Sequence, residues 1–155
     1  MFRHGAFIII TPDKIELKQK IHFATNKAKI FPDSFDLLNE VVEVLKTRPE
    51  LLLRIEGHTD NKGTLPKNMV LSDQRAAAVR DYLTKAGIAN ERLVSRGYGP
   101  TVPVGDNKTA AGREQNRRTE FYIITDEQMK EERAKPPVIP AAKKKGGGGG
   151  KKKKK

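Results

Sequence analysis

The stretch Ile55–Leu83, "IEGHTDNKGTLPKNMVLSDQRAAAVRDYL", runs from an apolar strand through a polar loop into a helix. Asp60 and Arg75 lie 15 residues apart across that loop. Upstream, "LLLRIEG" sets Leu51, Leu53 and Ile55 against Leu52, Arg54 and Glu56, the two-residue alternation of a half-buried strand. Downstream, Ala76, Val79, Leu83 and Ala86 recur at helical spacing, and Gly87 is placed to stop that helix. Ser72 is the expected N-cap, which puts Arg75 near the third helical position, beside exposed N–H groups. Asp60 then lies just past the C-terminal end of a strand, the edge where open α/β sheets bind ligands.

Working outward, "FIIITPDKIELKQKIHF" reads as an extended start, alternating at Ile15, Leu17, Ile21 and Phe23 with a break around Lys18–Lys20. "DSFDLLNEVVEVLKTRP" places Phe35, Leu38, Val42 and Leu45 on one helical face, capped by Asp33 or Ser34 and ended by Pro49. A short strand is expected around Leu93–Ser95, and "NRRTEFYIIT" forms the last one, with Thr119, Phe121 and Ile123 opposite Glu120, Tyr122 and Ile124. The order β-α-β-α-β-β predicts an α/β (α+β) fold, a two-layer sandwich of helices on a mixed sheet.

The expected boundaries are an N-terminal extension over 1–12, one domain over 13–125 and a tail over 126–155. Within the tail, "DEQMKEERAK" has the composition to extend as a polar helix. "PPVIPAAKKKGGGGGKKKKK" is low-complexity and expected to be disordered. From Asp126 onward there are eleven Lys and Arg against four Asp and Glu, so the tail supplies +7 of the net +12. Its lysines predict salt-sensitive association with anionic surfaces: acidic lipid, lipopolysaccharide or nucleic acid. No aromatic residue is interleaved for base stacking, so no specific nucleic acid is expected. There is no cysteine, hence no disulfide or thiolate metal site. "AFIIITP" has about a third of the roughly 20 residues a membrane span needs. No signal peptide is visible.

The loop's charges suit a zwitterion. Arg75 offers a planar fork matching a carboxylate, and Asp60 an acceptor for an ammonium group. A solvated ion pair, worth about 0–1 kcal/mol, is the alternative from the charges alone. His58, Asp60 and Ser72 have no nucleophile elbow or oxyanion motif around them, so catalysis is not expected, and His58 reads as a hydrogen-bonded structural residue. "DNKGT" starts like a calcium loop, but Leu71 stands where a bidentate Glu is required, so no metal is expected.

Taken together, "TNKAKI", "GHTDNKG", Asn68, "LSDQRAAAVRDYL", "RGYG", Asn107 and "GREQNRRTEFYI" resemble the peptidoglycan-binding domain of the OmpA family, over about Ile15–Thr125. The resemblance implies an OmpA-like fold and non-covalent binding of meso-diaminopimelate in the peptide stem. It gives the ammonium to Asp60 and the carboxylate to Arg75, with Asn26, Thr59, Asn68 and Arg117 completing the pocket. It further implies no enzymatic activity, no cofactor, and a place in the bacterial periplasm or at the outer membrane, tethering an envelope protein to the wall. Homodimer formation is left open.

Overall fold

The computed structural model describes residues 6–139. Five strands, β1 (Ile8–Ile10), β2 (Lys14–Leu17), β3 (Leu52–His58), β4 (Leu93–Gly99) and β5 (Arg118–Ile124), form one sheet in the order β1-β2-β5-β3-β4. β3 and β4 are parallel and the other neighbours antiparallel, so the sheet is mixed as expected. Helices α1 (Phe35–Thr47) and α2 (Leu65–Lys85) pack on one face; α3 (Ala110–Asn116) precedes β5 and α4 (Asp126–Ala134) follows it. The core lies between the first pair and the sheet. Leu37, Leu38, Val41 and Leu45 of α1 meet Ala76, Val79 and Leu83 of α2 above Ile15, Leu53, Ile55 and Phe121.

Four differences from the sequence reading have physical causes. The extended start is a hairpin: Thr11 closes a turn onto the Lys14 carbonyl at 2.9 Å. Residues 8–10, expected in an extension before the domain, are therefore the edge strand, and Ile8 is fully buried. Phe35, expected on the buried stripe of α1, is exposed and instead sits 5.3 Å from the Tyr82 ring. The stretch before the last strand, to which the sequence reading assigns no element, contains α3, capped by Thr109. The Lys/Gly tail from residue 140 onward lies outside the described residues. "DEQMKEERA" forms α4, opened by Thr125 and Gln128 in a reciprocal capping box.

The fourth difference reshapes the site. α2 starts at Leu65 rather than at Ser72, because the Thr64 side chain caps it by accepting from the Lys67 N–H and Pro66 needs no partner for a missing donor. Ser72 is instead buried in the helix, where its hydroxyl donates to the Met69 carbonyl and accepts from the Gly99 N–H at 2.9 Å. The helix lies close on the sheet here. A Cβ on Gly57 would collide with the Ser72 carbonyl, and one on Gly97 with the Asp73 backbone.

Candidate functional site

β3 delivers His58, Thr59 and Asp60 to the C-terminal edge of the parallel pair, as the alternation of "LLLRIEGHTD" requires. Thr59 is tied in by its N–H to the Gly99 carbonyl at 2.9 Å. Asp60 is 7% exposed, and its Oδ1 accepts from the Lys62 N–H at 2.9 Å. Asn68, on the second turn of α2, donates to the Lys62 carbonyl at 2.8 Å and so closes the loop over residues 60–63. Gly63 supplies the positive φ of 87° that this turn needs.

Asp60 does not pair with Arg75. Its Oδ2 accepts from Arg117 Nη1 at 2.5 Å, and Arg117 Nη2 donates to Glu114 at 2.7 Å. Those bonds, the one to Glu114 first, raise the Arg117 pKa, and the same contact lowers that of Glu114. Lys20 reaches Glu114 as well, at 3.1 Å to its carboxylate and also to its carbonyl.

Arg75 sits on the eleventh residue of α2, about 15 Å along the axis from the helix start, so the free N–H groups of that terminus do not reach it. What holds it is the turn opposite. Nε donates to the Lys27 carbonyl at 2.8 Å, Nη2 to the Ala24 carbonyl at 3.1 Å, and the guanidinium lies 4.9 Å from the Phe23 ring centre. Among the described residues Nη1 has no hydrogen-bond partner. Burial lowers the Arg75 pKa, and repulsion from Arg117 adds to it. Arg75 and Arg117 line the same cleft. Asn26 stands at the tip of the clamped turn with φ of 59°, a left-handed conformation that Asn tolerates well.

All six residues named from the sequence, Asn26, Thr59, Asp60, Asn68, Arg75 and Arg117, line one cleft of about 440 Å³. Sequence reasoning missed three contributors to its walls: Phe23 beneath Arg75, and the Lys20–Glu114 pair. Lys20 falls in the break after β2, which was the only signal of its position.

His58 points to the other face of the sheet. Its side chain is 1% exposed, Nε2 lies 3.0 Å from Glu56, and the ring stacks on Tyr98 at 5.3 Å. Among the described residues, Nδ1 is buried without a partner. Glu56, His58 and Glu120 offer ligand atoms within 4.8 Å of one another. Arg54 already holds Glu56 at 2.8 Å, and Arg118 holds Glu120 at 2.9 Å. With Lys14 3.9 Å from Glu120 as well, the carboxylates are balanced by fixed cations, an arrangement that does not call for a metal.

A mixed sheet with two helices on one face and a charged cleft at the β3 edge defines the class: the chain belongs to the OmpA family, whose model matches residues 22–117. Among individual relatives it is 38% identical to the peptidoglycan-binding protein ArfA of Mycobacterium tuberculosis over 103 residues, 66% of this chain and 32% of ArfA. It is 37% identical to outer membrane porin F of Pseudomonas aeruginosa over 107 residues, 68% of this chain and 31% of the porin. The chain thus spans about a third of the length of these relatives. The peptidoglycan-associated lipoprotein of Burkholderia pseudomallei superposes with a TM-score of 0.64 at 28% identity, covering 69% of this chain and 91% of that one. The cell wall anchor of the type VI secretion system from Pseudomonas aeruginosa gives 0.66 at 27% identity, covering 77% and 87%.

Proposed function

We propose that this domain binds peptidoglycan non-covalently by gripping the free zwitterionic centre of diaminopimelate in the peptide stem. The observation that carries the reading is that Asp60 and Arg75 face one cleft without neutralising each other. ArfA is named for peptidoglycan binding, and that name supports the same substrate class. The ligand ammonium would add to Asp60, whose carboxylate has about four lone-pair sites and uses only part of them on Lys62 and Arg117. The ligand carboxylate would take the unpartnered Nη1 of Arg75, with Arg117 as a second cation. Thr59, Asn68 and Asn26 shape the walls. No bond is made or broken, so the role is that of a tether rather than an enzyme, in the periplasm at the outer membrane. Each contact is small and reversible, and many along one polymer give firm attachment by avidity.

The test is pull-down on purified sacculi. Asp60→Ala and Arg75→Ala should each abolish retention, and two folded variants that bind like wild type would refute the assignment.

A further inference from the structure

Beside the cleft runs a second groove of about 380 Å³, sharing Lys20, Arg118 and Thr119 with it. It exists because the sheet opens there. β2 pairs with β5 only at Lys14↔Tyr122 and Ile15↔Phe121, whereas β2 continues to Leu17 against β1. The Ile123 N–H donates across to the Asp13 carbonyl, so the alternation of an antiparallel ladder turns the N–H and C=O of Thr119 toward the opening. The charged lining is Lys14, Lys18, Lys20 and Arg118 against Glu16 and Glu120, an excess of two cations. Arg118 and Lys14 are spent on Glu120, and Lys20 on Glu114. Lys18 is exposed and, among the described residues, makes no ion pair.

Resting on the diaminopimelate reading, we propose that this groove is a subsite for a second carboxylate of the same stem peptide. The stem runs past the cleft edge along Thr119, whose backbone pairs with it as a strand would, and Lys18 receives the carboxylate. The two recesses share the wall of Lys20, Arg118 and Thr119, so a carboxylate carried by the residue next to diaminopimelate has the groove as its neighbour. Two sources carry that chemistry: the free α-carboxylate of the γ-linked D-glutamate on one side, and the terminal carboxylate of D-alanine on the other.

Calorimetric titration of the full chain and its Lys18→Gln and Lys18→Glu variants tests this. The probes are free diaminopimelate, the tripeptide L-Ala-γ-D-Glu-diaminopimelate, its glutamate-amidated form, and the tetrapeptide ending in D-Ala. Lys18→Gln should weaken the carboxylate-bearing peptide roughly three- to five-fold at low salt and leave free diaminopimelate unchanged, with Lys18→Glu weakening it further. A loss seen on the tripeptide and removed by amidation assigns the glutamate; a loss confined to the tetrapeptide assigns the terminal alanine. Unchanged affinity of both variants for every peptide, or an equal loss on free diaminopimelate, overturns the groove and leaves the cleft reading standing. Failure of the wild type to bind diaminopimelate at all overturns both.

Discussion

The two faces of β3 carry charge in opposite ways. On the outer face, Arg54, Glu56, His58, Arg118, Glu120 and Tyr122 form a network. Glu56 and Glu120 stand directly opposite each other in the ladder, and their mutual repulsion is offset by Arg54, Arg118 and Lys14. α4 lays Glu132 against Arg54 at 3.4 Å. At the cleft edge, where Asp60 lies four residues beyond Glu56, Asp60 and Arg75 have been kept apart. Arg75 is tethered to backbone carbonyls and Asp60 to a half-exposed arginine. A network whose charges answer each other builds the fold, whereas charges held apart by neutral backbone are available to a ligand.

The largest effect separating the two belongs to the closed network. Arg54→Met should leave Glu56 buried without its cation, with Glu132 keeping only Lys135, and cost about 3 kcal/mol of stability in urea unfolding, with sacculus binding of the folded protein retained. An unchanged midpoint would show that the face does not depend on internal pairing. At the cleft the pattern reverses. Asp60→Ala should weaken diaminopimelate binding by ten- to a hundred-fold, the scale of a charge-assisted hydrogen bond of about 1.5–3 kcal/mol, with a much smaller loss of stability.

Arg75 sharpens the contrast because it serves both purposes. Its two bonds to Ala24 and Lys27 fasten the turn that carries Asn26, so Arg75→Ala should lower stability by about 1–2 kcal/mol as well as abolish retention. Arg75→Lys, which keeps the charge but not the fork, should recover little of either in titration and urea unfolding.

Acid should also weaken the closed face. Burial pushes the Glu120 carboxyl upward, but hydrogen bonds from Tyr122 and Arg118 and the charges of Arg118 and Lys14 outweigh it and leave the pKa below its ordinary 4.5. A carboxyl whose folded pKa is depressed contributes stability that is present above 4.5 and lost as pH falls through the folded value. Glu120→Gln should therefore flatten the loss of stability below about pH 4.5, measured by urea unfolding across pH. The smallest effect concerns the tail: removing residues 136–155 should reduce low-salt retention on anionic polymers and leave diaminopimelate affinity unchanged.

Much of this was legible in the chain. The alternation of "LLLRIEG", the stripe Ala76–Val79–Leu83 and the last strand all carry periodicity that burial enforces, and they fix the central layer. Short elements escaped because three to seven residues show little period: β1, held by pairing with β2 and by the buried Ile8, and α3, held by the Thr109 cap. The start of α2 was misplaced by two turns because Ser72 and Thr64 are both good caps. Only the packing of α2 on Gly57 and Gly97 decides that Ser72 lies inside the helix. The cleft's acid and base were visible as residue types, yet the partner of Asp60 was not. Arg117 arrives from the junction of α3 and β5, 57 residues away, and that contact depends on the strand order rather than on any local pattern.

The central claim is that Asp60 and Arg75 are held apart for one foreign zwitterion, and a crystal structure at saturating meso-diaminopimelate tests it most directly. The ligand ammonium should lie within about 3 Å of an Asp60 oxygen, with a ligand carboxylate on the Arg75 guanidinium. Ligand bound elsewhere, or a cleft still empty at saturation, would contradict it.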